Sequence, residues 1–378
     1  MALPSLYVHV PFCVVKCGYC DFNSYVVDDA AVMDRFVSAL DRELAFAAPP
    51  RVPPTVFVGG GTPTYLDAPR FETFLATLRR HVDLDLVTEV SIEANPESLD
   101  RTKAKLAFDA GFRRASVGAQ SFDAERLRFL DRAHDGAAVG RAVADLRAAG
   151  FENVSLDLMF GMPGQTVDAW ESDLEAALAL EPDHLSCYHL SFEPGTRLTR
   201  DHRLGRVAAN DEDEDRQMFL RTRELLRERG FVAYEVSNFA GRGGPCRHND
   251  LYWLQGDYIG VGPGASSHRD GWRATNLKAV EAWAHAVERG LPPTGEAESL
   301  SRRQRAAEAV WLGVRRTEGV DLAAVAARLG VDPRTEFPAA LGRVTAAGLA
   351  AVFGATLVLT EDGLPFGDAV GSAFLEDV

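Results

Sequence analysis

The stretch Leu6-Tyr7-Val8-His9-Val10-Pro11-Phe12-Cys13-Val14-Val15-Lys16-Cys17-Gly18-Tyr19-Cys20 couples an apolar, β-branched run to three closely spaced cysteines. The run reads as a strand, so Cys13, Cys17 and Cys20 fall on the loop that leaves its carboxyl end. Thiolates are the ligands that iron-sulfur clusters and zinc prefer. A 4Fe-4S cubane takes four ligands. With three local cysteines, one iron is left to find its fourth elsewhere, and such an iron can chelate the amino and carboxylate groups of a small molecule. Zinc is the plainer alternative, but zinc sites normally assemble from two Cys-x-x-Cys-like halves, and no second half is visible. Cys187 and Cys246 stand alone. An odd total with one tight cluster reads as a metal site in a reducing compartment rather than as a disulfide framework.

Downstream, as far as residue 240, short apolar runs alternate with helix-period segments, the pattern of repeated βα units around a parallel sheet. Strands are expected at Leu6 to Val10, Thr55 to Val58, Glu89 to Ala94, Arg114 to Gly118, Val154 to Leu158, Leu185 to Leu190 and Val232 to Ser237. Helices are expected at Ala30 to Ala47, Asp100 to Ala110, Gly136 to Ala149, Thr166 to Leu180 and Glu212 to Arg229. In such architectures ligands gather outside the carboxyl ends of the strands. The cysteines follow the first strand and Gly59-Gly60-Gly61-Thr62-Pro63 follows the second. Glu93 ends the third, Gln120 follows the fourth and Asp157 closes the fifth, so one cavity wall collects them all.

From Gly241 to Gly271 the composition shifts to Gly, Pro and aromatics, which reads as an irregular segment closing one end of the barrel. Beyond about residue 290 helices are expected at Arg302 to Val314, Leu322 to Leu329 and Pro338 to Ala347. A hairpin of Ala350 to Phe353 and Thr356 to Leu359 about Gly354 follows, which suggests a small winged-helix-like domain. The expected division is 1–240, 241–290 and 291–378.

The chain has 378 residues, 46% of them apolar and 25% charged, enough to bury a substantial core. A net charge of -15 argues against a general grip on nucleic acid or on an anionic membrane surface. No apolar stretch approaches the roughly 18 residues that span a bilayer, and the N-terminus lacks the form of a signal peptide. The expectation is a cytoplasmic protein that is not integral to a membrane.

Taken alone, the remaining motifs leave alternatives open. Gly59-Gly60-Gly61-Thr62-Pro63 is either a tight turn or a place where a ligand approaches bare backbone. Glu93 at a strand end is either an ordinary exposed carboxylate or an acceptor for ribose hydroxyls. His248-Asn249-x-x-Tyr252-Trp253 is either a buried packing cluster or an imidazole and aromatics arranged for a porphyrin. Gly260-Val261-Gly262-Pro263-Gly264-Ala265 lacks the βαβ context of a dinucleotide site. The acids Asp211 to Asp215 fit the start of a helix better than a metal cage. His9 is read as support for the cluster loop rather than as a ligand.

Cys13-x-x-x-Cys17-x-x-Cys20, preceded by Tyr7-x-His9-x-Pro11-Phe12 and with Tyr19 before the last cysteine, resembles the radical S-adenosylmethionine (SAM) superfamily. Within it the chain looks most like the coproporphyrinogen dehydrogenase and HemW group. The resemblance implies an α/β fold, a partial (βα)6 TIM-like barrel with a small helical, winged-helix-like C-terminal domain. It implies a 4Fe-4S cluster on Cys13, Cys17 and Cys20, and SAM contacts at Tyr7, Tyr19, Gly60, Gly61, Thr62, Glu93, Gln120, Arg132 and Asp157. His248-Asn249-x-x-Tyr252-Trp253 is similar to the signature that separates HemW-type haem chaperones from the dehydrogenases, and so implies haem binding at His248, Asn249, Tyr252 and Trp253. The dehydrogenases carry another cysteine two places after the third, where this chain has Phe22. The first cluster cysteine is already residue 13, so an N-terminal substrate lid is not expected. The implied function is a haem chaperone that passes haem to acceptor haem proteins, respiratory enzymes among them. The alternative is an oxygen-independent coproporphyrinogen III dehydrogenase.

Overall fold

In the first six strands every second residue is apolar, and in the computed structural model, which describes residues 3–376, that parity decides the side each residue takes. The strands are β1 (Ser5–Val10), β2 (Thr55–Gly60), β3 (Glu89–Ala94), β4 (Arg114–Gln120), β5 (Asn153–Phe160) and β6 (His184–His189). They pair in sequence order and all in parallel. Val8, Val58, Ile92, Val117, Leu156 and Leu185 share one core with the helices outside the sheet. The other parity carries Tyr7, Phe57, Glu93, Ser116, Asp157 and Ser186. A parallel sheet covered on both faces is apolar at both parities; here the inner parity is polar, with Ser116 and Ser186 hydrogen-bonded to Asp157.

The barrel stays open. Beyond β6 lie two short strands, β7 (Val232–Ala233) and β8 (Asn238–Ala240), with β8 antiparallel to β6. On the other flank β1 pairs in parallel with β9 (Tyr258–Val261). The antiparallel strands β10 (Ser266–Arg269), β11 (Trp272–Asn276) and β12 (Thr294–Ser299) complete a 12-stranded sheet.

Helices Ala30–Ala47 and Gly136–Ala149 have the expected bounds. Asp29, Asp100, Asp135, Thr166 and Asp211 each accept a backbone N–H at the start of their helix, so the caps in the sequence are the caps in the fold. Asp211 opens a first turn of four further acids, the dipole match read from the sequence.

Two expectations are corrected. Of the strand expected over Val232 to Ser237 only β7 forms, and β8 begins beyond it at Asn238, because the Glu235 carboxylate accepts the Ser237 N–H and the Asn238 amide and closes a turn there. The stretch from Gly241 is not irregular throughout: it holds the helix Arg247–Trp253 and the strands β9 and β10. Each of those strands has only 4 residues: β9 takes its ladder from the β1 edge, and β10 from β9 and β11.

The C-terminal part has its own core, including Val310, Leu322, Phe337, Leu357 and Phe374. Helices Arg302–Gly313, Leu322–Leu329 and Pro338–Ala346 precede the hairpin of β14 (Ala350–Phe353) and β15 (Thr356–Leu359), with β13 (Val320–Asp321) against β15. A last helix, Gly367–Leu375, is additional to those expected. Arg316 ties this part to the helix Arg247–Trp253 through Asp250 at 2.7 Å.

Candidate functional site

The loop after β1 carries Cys13, Cys17 and Cys20 as half-buried free thiols. Cys13 N–H donates to the Tyr25 carbonyl, and within the loop Cys20 N–H donates to that of Cys17. The glycine loop after β2 lies directly against it. Gly61 N–H donates to the Val10 carbonyl at 2.8 Å and Thr62 N–H to that of Phe12 at 2.7 Å. A Cβ on Gly61 would come within 2.7 Å of both carbonyl oxygens, and Gly60 has φ +102 with the His9 ring 2.3 Å from any added Cβ. The glycines are therefore required by the close approach of two loops of the protein itself.

A polar chain joins two of the cysteines. Thr62 Oγ1 donates to Cys13 Sγ at 3.5 Å and accepts from Asn95 Nδ2 at 2.7 Å. Asn95 Oδ1 accepts from Arg132 Nη2 at 2.7 Å, and Arg132 Nη1 reaches Cys17 Sγ at 3.6 Å. Burial pushes the Cys13 thiol above its ordinary pKa, and the Arg132 charge works in the opposite direction. The side chain of Arg132 is 6% exposed, and its Nε is buried without a partner. Donors aimed at sulfur suit thiolates that carry charge into a cluster. Among the described residues no three His, Cys, Asp or Glu are grouped to hold a single metal ion. Three thiolates on one loop, two of them facing side-chain donors, suit a cubane in which each thiolate takes its own iron.

Of the other residues expected at strand ends, Glu93 and Gln120 stand at the ends of β3 and β4, whereas Asp157 lies within β5, which runs on to Phe160. Glu93 accepts the Gly60 N–H at 3.0 Å, and burial together with the nearby Asp157 raises its pKa to about 7. Asp157 accepts from Ser116 at 2.9 Å and is likewise raised by burial. Gln120 follows a register shift at the end of β4 and has φ 63, a left-handed conformation unusual for a residue with a side chain. His9 Nε2–H donates to the Asn23 carbonyl, which leaves Nδ1 to accept from the Tyr7 hydroxyl at 2.9 Å. Tyr19 packs with Leu130, Met159 and Leu198 on the outer side of the loop, within hydrogen-bonding range of Arg132. Asn95 was not singled out from sequence, although it has the same parity as Glu93 just past the end of β3.

The four residues of the His-Asn-x-x-Tyr-Trp motif sit elsewhere and point apart. Their helix closes the amino-terminal end of the barrel, with Glu89 accepting its N–H groups at Arg247 and His248. His248 is 1% exposed and stacks on Phe57 at 5.3 Å. Its Nδ1 meets Thr55 Oγ1 at 2.7 Å and its Nε2 the Tyr252 hydroxyl at 3.0 Å, and burial lowers its pKa to about 3. Asn249 hydrogen-bonds Tyr234, while the Trp253 ring lies under Arg315 of the C-terminal part. Of the four, Tyr252 lines two grooves. One groove of about 570 Å³ runs from Lys16 and Phe22 of the cysteine loop past Tyr7 to Tyr252 and Tyr258, and a second of about 670 Å³ continues from these tyrosines to Arg273. Tyr258 is a further residue that the sequence reading missed.

Residues 7–177 match the Radical SAM superfamily and residues 300–366 the HemN C-terminal domain. Over its full length the chain is 33% identical to the heme chaperone HemW of Bacillus subtilis, with 100% of both chains covered. It is 39% identical to the heme chaperone HemW of Mycobacterium tuberculosis over 97% of this chain and 93% of that one. The structure resembles coproporphyrinogen III oxidase (HemN) from Escherichia coli with a TM-score of 0.85, covering 99% of this chain and 90% of that one at 22% identity, a likeness of fold. Among the described residues no helix is long and apolar enough to cross a membrane.

Proposed function

Because the chain belongs to the HemW family of radical SAM proteins, we propose that it is a haem chaperone, binding haem and handing it to acceptor haem proteins such as respiratory enzymes in the cytoplasm. Cys13, Cys17 and Cys20 hold a 4Fe-4S cluster in this reading, and Arg132 and Thr62 donate to the sulfurs of Cys17 and Cys13. When bound, the cluster and SAM supply reductive cleavage of a sulfonium C–S bond. SAM contacts are assigned to Tyr7, Tyr19, Gly60, Gly61, Thr62, Glu93, Gln120, Arg132 and Asp157. One Glu93 carboxylate oxygen accepts the Gly60 N–H, which holds the side chain beside the glycine loop.

The observation that carries the carrier reading is the groove between the cysteine loop and Tyr258. At about 570 Å³ it lies in the size range of small-molecule sites. It is aromatic on one wall and open along its length, whereas a porphyrinogen radical calls for a closed, water-free chamber.

The test is to titrate anaerobically reconstituted protein with haem and then mix it with an apo haem protein. Near-stoichiometric binding followed by transfer is expected. Steady formation of protoporphyrinogen from coproporphyrinogen, SAM and reductant would overturn the carrier reading in favour of the dehydrogenase.

A further inference from the structure

Of the 40 lysines and arginines in the chain only four are lysines: Lys16, Lys103, Lys105 and Lys278. Lys105 is taken by Asp109 of its own helix, and Lys103 by the carbonyls of Thr64 and Ser98. The other two line one groove, the one beside the cysteine loop, although Lys16 follows β1 and Lys278 follows β11. The segment from Phe22 to Ser24 joins them. Lys16 Nζ donates to the Phe22 carbonyl at 2.6 Å and to that of Ser24 at 3.2 Å, while Asn23 Nδ2 donates to the Lys278 carbonyl at 2.9 Å. Carbonyls are neutral, so the Lys16 charge is not cancelled there, and one of its three N–H groups is left over. The Lys278 side chain is exposed.

The two grooves differ in charge. The one beside the cysteine loop is lined by Lys16 and Lys278 against a single acid, Asp21. Its continuation is lined by Arg273 against Glu296, Glu298 and Glu308, and Arg273 is already held by Glu298 at 2.8 Å and by Glu308. A ligand with anionic groups along one edge is drawn to the lysine end and repelled from the other.

Resting on the haem-chaperone reading, we propose that Lys16 and Lys278 receive the two propionates of haem, so that the macrocycle lies in the groove with its carboxylate edge at the cysteine loop. A chain of net charge -15 repels a dicarboxylate except where cations are gathered locally. Phe22, 60% exposed at the same mouth, and Tyr258 further in offer aromatic surface to the ring. The choice of lysine in an arginine-rich chain suits a carrier. A guanidinium grips a carboxylate through a bidentate fork, whereas an ammonium is a point charge on a flexible stem that holds the propionate and lets it go.

The experiment titrates ferric haem and its dimethyl ester, which lacks the propionate charges, into anaerobically reconstituted wild type, Lys16→Gln, Lys278→Gln, the double variant, Lys278→Arg and the remote Lys105→Gln. Absorption reads binding, and circular dichroism and iron content check the fold and the cluster. Wild type should prefer the free acid by about tenfold, and each glutamine should lower that preference about two- to fivefold, the scale of an exposed ion pair. The double variant should bind acid and ester alike, with ester affinity the same throughout. Lys278→Arg and Lys105→Gln should keep the wild-type preference. Added KCl should weaken binding of the free acid more in wild type than in the double variant. Lys278→Gln lies outside the cysteine loop and carries the test should Lys16→Gln lose the cluster. Equal binding of acid and ester by wild type, or a preference that survives both substitutions, overturns the assignment. Wild type that binds neither form fails the haem-chaperone reading itself, a result distinct from haem bound without regard to its propionates.

Discussion

The Arg132 guanidinium donates through Nη1 to the Cys17 sulfur at 3.6 Å while its Nη2 is held by Asn95 Oδ1 and the Gly118 carbonyl at 2.7 and 2.8 Å. A planar fork can make these three contacts at once and a lysine ammonium on a flexible stem cannot. Arg132→Lys should therefore weaken cluster retention by about 10- to 100-fold, the usual effect of removing support behind a metal ligand. Iron and sulfide per chain after reconstitution, and the rate of iron loss to a chelator, measure it; retention equal to wild type would remove Arg132 from that role.

Thr62 both accepts from Asn95 and donates to Cys13. Thr62→Val keeps the shape and leaves the Asn95 donor without its acceptor, a loss of about 1–3 kcal/mol. Urea unfolding of the cluster-free protein should show that loss in the valine variant, and Thr62→Ser should recover most of it.

Gly60 holds φ +102 against the His9 ring. Gly60→Ala combines a left-handed backbone penalty with a clash and should cost about 1–3 kcal/mol, again read by urea unfolding. A variant of unchanged stability would show that the two loops do not approach as described.

Much of this was legible in the chain. The helix bounds at Ala30–Ala47, Gly136–Ala149 and Leu322–Leu329 follow from local capping chemistry, Asp29, Asp135 and Asp321 each accepting a backbone N–H. The strand-end residues were legible too, because polar side chains recur at alternate positions of otherwise apolar strands. Strands β9 and β10 were not, since 4-residue segments among glycines acquire their structure from partners, β9 from the distant β1 and β10 from β9 and β11. The motif at His248 was visible, but the Thr55 and Glu89 contacts that bury it are long-range and leave no local mark.

The pH dependence of stability follows from Glu93. Its ordinary pKa of 4.5 is raised to about 7 in the fold, so over that interval the unfolded chain has already released the proton that the folded chain keeps. Folding is favoured below the lower value and loses stability as pH rises through the upper one. Relative to Glu93→Gln, the wild-type protein without SAM should lose stability between pH 4.5 and 7 and then level off. Denaturant midpoints at about pH 5 and pH 8, on either side of most of that change, decide it: a wild-type-minus-variant difference that does not change sets the buried carboxyl aside.

The account depends most on the cysteine loop leaving one iron of a cubane free for a small chelating ligand. EPR of the reduced, oxygen-free protein before and after adding SAM measures this directly. A 4Fe-4S signal that shifts with SAM, and is absent when Cys13, Cys17 or Cys20 is changed to Ala, is the predicted result. A zinc-only protein, or a cluster signal indifferent to SAM, would contradict it.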